Sequence, residues 1–180
     1  EFEYAEVDEL GTVVEKDYTP YHIDQVLALK LVNRDAIAQA DLKIVVDAVN
    51  SVGGVVIPAL LRALGVKEII ELNCEPTGHF AHNPEPIPEN LTQIAAKMKE
   101  SRADLGIVVD PDVDRLALIS ENGEMFGEEY TLVAVADYVL KHTPGNTVSN
   151  LSSSRALKDV TEAYGQQYHA AAVGEVNVVG

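Results

Sequence analysis

From about residue 21 onward the apolar residues fall into two alternating spacings. Ile23, Val26, Leu27 and Leu31, with Lys30 among them, recur at the three- and four-residue intervals of one helical face. A short apolar run over 42–46, ending at Asp47, has the length and composition of a strand. Residues 55–64 return to helical spacing; Pro58 is tolerable there only near the first turn, and Gly65 stands where a left-handed C-terminal cap is wanted. The pattern then repeats: a strand over 68–72, a loop over 74–88 with four prolines and Gly78, and a helix over 88–101 whose apolar positions are Leu91, Ile94, Ala95 and Met98. Residues 105–109 form an uninterrupted apolar run of the kind buried on both faces of a parallel sheet. Strands over 116–120 and 124–126 flank Asn122-Gly123, which predicts a type I′ hairpin. A helix over 129–142 has acids at its start and Lys141 and His142 at its end, matching the helix dipole.

A break at Thr143-Pro-Gly-Asn146 precedes a strand over 147–151, a helix over 154–164 with Ser152 or Ser153 as N-cap, and a strand over 167–172. No closing element is predicted at Val178-Val179-Gly180. This alternation predicts an α/β fold: a mainly parallel sheet flanked by helices, with an antiparallel hairpin, followed by an incomplete second α/β unit. The first domain is expected over 21–143. The second unit, 146–180, is too short to bury a core alone. Residues 1–20 are polar, broken by Gly11 and Pro20, with an alternation at Phe2, Tyr4 and Val7; they read as an arm from a preceding domain. With no initial Met, the chain is expected to be the excised middle of a longer protein.

Composition narrows the class. The chain of 180 residues is 47% apolar, which argues against disorder, and no apolar run approaches a membrane span. One cysteine, Cys74, makes no internal disulfide and no stretch reads as a secretory signal, so the expected compartment is the cytoplasm. A net charge of −16 disfavours nucleic acid and anionic lipid as partners. That charge is concentrated. Residues 1–24 hold eight acids against one lysine, as a solvated arm would, and residues 104–129 hold eight acids against one arginine.

The second acidic block contains the sharpest chemical signal, Asp110-Pro111-Asp112-Val113-Asp114-Arg115, directly after the apolar run 105–109. Carboxylates at alternate positions of an extended loop can turn to one side, where they repel unless a cation sits between them. Hard oxygen ligands favour Mg²⁺ or Ca²⁺, and the carboxyl end of a strand is where open α/β sheets bind ligands. Arg115 adds a planar cation suited to phosphate. Counting from Asp110, Glu121 falls at position 12 of a calcium loop; but Arg115 occupies the position that needs Gly, and the flanking segments read as strands, not helices. Other candidates are weaker. Gly53-Gly54 matches no phosphate loop and reads as close strand–helix packing, and Ser152–Arg155 reads as helix capping. Cys74, His79 and His82 match no common zinc spacing and read as parts of a shaped loop.

Asp110, Asp112, Asp114 and Arg115 resemble the metal-binding loop Asp-Gly-Asp-x-Asp-Arg of the α-D-phosphohexomutase superfamily, with Pro111 at the Gly position. Val45-Val46-Asp47 with Gly53-Gly54, the loop His82-Asn-Pro-Glu-Pro86 before Pro88-Glu-Asn-Leu91, and Asn150-Leu-Ser-Ser-Ser-Arg155 are similar to its bacterial and archaeal branch. Val173-Gly174-Glu175 resembles the family's third-domain Thr-x-Val-Gly stretch, with Ala171 in place of Thr. The resemblance implies domain two and the start of domain three of a mutase that interconverts hexose 1- and 6-phosphates through a phosphoserine and a hexose bisphosphate. Asp110, Asp112 and Asp114 would hold Mg²⁺ and Arg115 would contact a phosphate. The catalytic serine belongs to domain one: Ala81-His82-Asn83-Pro84 imitates its loop but lacks the serine. A non-enzymatic α/β module binding Ca²⁺ or another protein stands as the alternative.

Overall fold

The computed structural model describes residues 3–180; Glu1 and Phe2, the start of the expected arm and of its alternation, lie outside the described residues. Residues 3–18 carry a single 3₁₀ turn at Val7–Glu9. Then follow α1 (Thr19–Leu27) and α2 (Arg34–Gln39). The hydrophobic spacing gave no sign of α2, because six residues are too few to show a period. Its signal lies in capping, since the Asn33 side chain accepts a hydrogen bond from the Ala36 N–H at 3.0 Å.

Four strands build the main sheet: β1 (Lys43–Asp47), β2 (Glu68–Leu72), β3 (Leu105–Val109) and β4 (Leu116–Ser120), in the order β2-β1-β3-β4. The first three are parallel, and β4 runs antiparallel to β3. Between β1 and β2 lies α3 (Gly53–Leu64); between β2 and β3 lies α4 (Thr92–Ser101). The pleat divides the core between two faces. Val45 and Val108 pack with Leu91, Ile94 and Met98 beneath α4, while Ile44 and Val46 pack with Leu61 and Val66 beneath α3. Each such buried side chain contributes roughly 1.5–3 kcal/mol. Because β1 connects outward to β2 and β3 is reached by crossing back, the two crossovers diverge between β1 and β3. Ligand crevices of open α/β sheets form at such a divergence.

Several local expectations need correction. Helix α3 starts two residues early, so Pro58 falls in its second turn, where it deprives the Gly54 carbonyl of a helical partner. The 88–101 helix is broken: Pro88–Asn90 is a 3₁₀ turn, and α4 begins after Leu91. The turn at Asn122-Gly123 is not type I′. Among its residues only Gly123 has positive φ (+80°), and Gly123 N–H donates to Ser120 O. This is a type I turn followed by a left-handed glycine, the three-residue hairpin solution. Residues 124–126 make one bridge, Met125 to Ile119, rather than a strand. Gly65 does cap α3, with φ +96°, and Val66 N–H donates to Leu61 O as in a Schellman motif.

Beyond β4, α5 (Glu128–His142) packs against α6 (Ala156–Ala163), which joins the parallel pair β5 (Thr147–Asn150) and β6 (Tyr168–Ala171). Neither Ser152 nor Ser153 caps α6. Asn150 Oδ1 takes the Ser152 N–H, and Ser154 Oγ takes the Ala156 N–H instead. A five-residue helix, α7 (Glu175–Val179), occupies the end expected to lack an element. Tyr138 of α5 donates to Leu31 O at 3.0 Å, tying this unit to the segment between α1 and α2.

The contact between α3 and the residues just after β2 leaves no room for a side chain at Gly54. A Cβ there would lie 2.2 Å from Cys74 O and 2.6 Å from Cys74 Cα, both backbone atoms. Gly54→Ala is expected to cost about 2–3 kcal/mol of stability, measured by chemical denaturation, with the fold retained.

Candidate metal centre

Residues 110–115 form the connection between antiparallel strands β3 and β4, at the carboxyl edge of the parallel sheet. Val113 N–H donates to Asp110 O at 3.2 Å, closing a turn with Pro111 at its second position. A type I turn asks for φ near −65° and no donor there, which proline supplies. Val113 follows with φ +63°, a left-handed conformation that a β-branched residue adopts only under constraint. The turn brings one carboxylate oxygen each from Asp110, Asp112 and Asp114 within 4.8 Å of one another. Asp110 is buried, 6% exposed; the other two are open to solvent.

Arg115 closes the loop twice. Its N–H donates to Asp110 Oδ1 at 3.0 Å, and its Nε lies 4.0 Å from Asp110 Oδ2 and 3.9 Å from Asp114 Oδ1. Its Nη1 lies 3.7 Å from Glu85 Oε1. Burial pushes the Asp110 carboxyl up, but the Arg115 N–H, hydrogen bonds shared with Asp114 and Asp112, and the Arg115 charge together hold it below its ordinary value. Asp114 moves the other way. The hydrogen bond it shares with Asp110, a small burial cost, and the charges of Asp112 and Asp110 push it up against the pull of Arg115. The cluster therefore holds more negative charge than its own surroundings neutralise. Oxygen-only donors gathered this way suit a hard divalent cation.

A second carboxylate occupies the same sheet edge, and the sequence reading did not select it. Asp47 ends β1, paired in register with Val108 two residues before Asp110, and is 1% exposed. Its oxygens accept from Val49 N–H at 3.1 Å, from Asn73 Nδ2 at 3.2 and 3.3 Å, and lie 3.1 Å from His82 Nε2. The other ring nitrogen of His82 lies 2.8 Å from Asn83 O, so both face acceptors. The available signal was the parallel between two aspartates, each following an apolar strand. Val49, Asn50 and Asn73 also have left-handed φ here, three strained positions at one edge.

The remaining sequence candidates resolve simply. At Asp47–Gly54 the backbone donors are engaged internally: Asn50 to Asn73 O, Ser51 to Ala48 O, Gly53 to Ser51 Oγ and Gly54 to Ser51 O. Gly53 and Gly54 serve close packing, for a Cβ at Gly53 would lie 2.6 Å from Val109 Cγ2. His82 binds Asp47 and Cys74 faces the carbonyls of Leu72 and Val46, so among the described residues Cys74, His79 and His82 form no metal cluster. Burial, with the charges of Glu71 and Asp47, pushes the Cys74 thiol up to about 11, which keeps it protonated. Glu121 sits at the far end of five-residue β4, about 17 Å along the strand from the loop, which removes the calcium-loop reading.

Comparison with known proteins bears on the fold that carries this site. The model of "Phosphoglucomutase/phosphomannomutase, alpha/beta/alpha domain II" matches residues 20–123, and that of domain III matches residues 127–180. A Thermococcus kodakarensis phosphoglucomutase/phosphomannomutase is 34% identical over 99% of the chain, and a Pseudomonas aeruginosa phosphomannomutase/phosphoglucomutase is 36% identical over 87%. The chain spans 39% and 33% of their respective lengths. A solved phosphoglucomutase/phosphomannomutase family protein from Burkholderia thailandensis aligns with 90% of the chain and 34% of its own at TM-score 0.75 and 29% identity. A solved structure from Thermus thermophilus, 23% identical, shares the fold at TM-score 0.80 over 88% of this chain and 37% of its own. With both domain models matched in order along it, the chain belongs to the phosphoglucomutase/phosphomannomutase family.

Proposed function

We propose that this chain is the metal-binding segment of a mutase that interconverts hexose 1-phosphate and hexose 6-phosphate, of glucose, mannose or glucosamine, through a phosphoserine and a hexose bisphosphate. The observation that carries the reading is the gathering of Asp110, Asp112 and Asp114 in one constrained turn beside Arg115. The three carboxylates would hold Mg²⁺, leaving coordination positions for phosphate and water as that ion prefers. When bound, Mg²⁺ would neutralise phosphoryl oxygens during transfer. Arg115 is 58% exposed, so its guanidinium has room to take a phosphate with two parallel N–H donors. Asp110, held ionised by the Arg115 N–H, fixes the inner wall of the site. The family's names support the sugar classes, and a single cysteine, which can form no internal disulfide, suits the reducing cytoplasm. No helix among the described residues is long and apolar enough to cross a membrane, and the acidic surface disfavours nucleic acid and anionic lipid.

The phosphorylated serine would come from sequence outside these 180 residues, since the one His-Asn-Pro here follows Ala81. Purified alone, the chain is expected to give no turnover of glucose 1-phosphate in a coupled assay. Joined to the rest of its reading frame it is expected to turn over, and inactivity of that longer protein with all its sugar phosphates would end the mutase reading. Isothermal calorimetry is expected to show Asp112→Asn weakening Mg²⁺ binding by at least about tenfold; unchanged binding would remove the triad from the site. Asp114→Asn separates two effects. In EDTA at pH 7 it is expected to raise the melting temperature, because the hydrogen bond shared with Asp110 and the charges of Asp112 and Asp110 all disfavour the ionised Asp114. The folded value of Asp114 is raised, so this gain is present at neutral pH and vanishes as the pH falls through that raised value and the wild-type carboxyl protonates. In saturating Mg²⁺ the same variant is expected to lose the cation's stabilisation.

A further inference from the structure

We propose that Glu85, set in place by the buried His82–Asp47 pair, is the positioning residue for Arg115: it holds the guanidinium when no phosphate is bound and competes with phosphate for it. This rests on the reading of Arg115 as a phosphate contact. Among the described residues three carboxylates lie within 4.0 Å of the Arg115 side chain: Glu85 on Nη1, and Asp110 and Asp114 on Nε. A cation in the triad would engage the charges of Asp110 and Asp114. Glu85 would then be the carboxylate left to Arg115.

Glu85 does not reach this place by chance of a mobile surface side chain. Its N–H donates to Asn83 Oδ1 at 3.3 Å and its carbonyl accepts from Asn90 Nδ2 at 2.8 Å, so its backbone is held on both sides. The segment is anchored three residues earlier by His82, whose side chain is 15% exposed against a fully buried Asp47. That anchor spans from the end of β1 to the proline loop, with one ring nitrogen 3.1 Å from Asp47 Oδ2 and the other 2.8 Å from Asn83 O. Pro84 and Pro86 stiffen the backbone on either side of Glu85. Two cavities meet at the pair. One of about 360 Å³ is lined by Asn83, Asp110 and Pro111, and one of about 410 Å³ by Ile87, Leu116 and Met125; Glu85 and Arg115 line both. The ion pair therefore stands between the triad side and an open cleft large enough for a sugar phosphate.

The consequence is a trade between holding and releasing. Without the Glu85 charge, Arg115 would grip phosphate harder and let it go more slowly. The test titrates inorganic phosphate, with Mg²⁺ present, into the wild-type chain and into Glu85→Gln, following the Arg115 Nε–H resonance by NMR. The substitution lies at a half-exposed side chain, and its folding is checked by the remaining spectrum. Phosphate is expected to bind Glu85→Gln about threefold tighter, the scale of one exposed ion pair. The difference should close at high salt, which a purely structural effect would not do. His82→Gln is expected to shift affinity in the same direction, and the double variant to match Glu85→Gln alone, because His82 acts through Glu85. In the longer protein kcat and KM for the hexose phosphate should fall together in Glu85→Gln. Equal phosphate affinity in wild type and Glu85→Gln overturns the positioning role while leaving Arg115 as a phosphate contact. An Arg115 resonance that phosphate does not move in either protein overturns the phosphate reading and this inference with it.

Discussion

Asp47 and Asp110 stand at the ends of neighbouring parallel strands and are both buried, and two carboxylates cannot be taken out of water at one sheet edge without partners. Most of the surrounding architecture can be understood as the answer to that constraint. Asp47 is compensated from within the protein, by the Val49 N–H, the Asn73 amide and the His82 ring. These donors lie on three separate segments: the β1–α3 loop, the end of β2 and the proline loop. Satisfying one carboxylate therefore ties the loops above β1 and β2 together. The left-handed conformations of Val49, Asn50 and Asn73, each costing of order 1–3 kcal/mol, are tolerated because those bonds over-determine them.

Asp110 is compensated differently. Its one backbone donor comes from Arg115, on its own loop, and its nearest other neighbours are two more carboxylates. Asp47 is a closed structural charge and Asp110 an open one, although both occupy similar positions relative to a strand end. The difference follows from topology. The β1 end is crowded by the loop leading into α3 and by the proline loop before α4, which supply amides and a histidine. The β3 end turns straight back into antiparallel β4, and the backbone N–H that Asp110 receives comes from that hairpin connection, from Arg115.

This contrast also explains what the sequence made legible. Long periodic segments and apolar runs located the principal strands and α5 nearly to the residue, because burial on one or both faces leaves a direct trace in residue type. The clustering of the triad was legible for a related reason: carboxylates at alternate positions of one short loop turn to the same side. Short elements escaped. Helix α2 depends on a single cap at Asn33, and α7 on five residues after Gly174. Asn122-Gly123 points to a two-residue turn, yet Asn-Gly serves equally the three-residue turn in which Gly alone is left-handed, and that is the one formed. Asp47, His82 and Glu85 were hidden for a deeper reason. Their roles depend on contacts made across 26 to 35 residues of chain, such as Asn73 and His82 to Asp47, which no local pattern encodes.

Pro111 shows how one residue serves fold and site together. A flexible glycine at this position would let the three carboxylates separate when no cation is present, relieving their repulsion. Proline at the second position of a type I turn removes that freedom, and it lowers the entropy of the unfolded chain as well. The raised Asp114 carboxyl reflects that crowding, through the hydrogen bond it shares with Asp110 and through the charges of Asp112 and Asp110, while the Arg115 N–H holds Asp110 in place. Side chains gathered in this way would lose little freedom on binding a cation. Val113 is forced left-handed by the same turn. The loop thus gathers its three carboxylates through backbone geometry, with Pro111 at the second position of a turn closed by the Val113 N–H and Asp110 fixed by the Arg115 N–H.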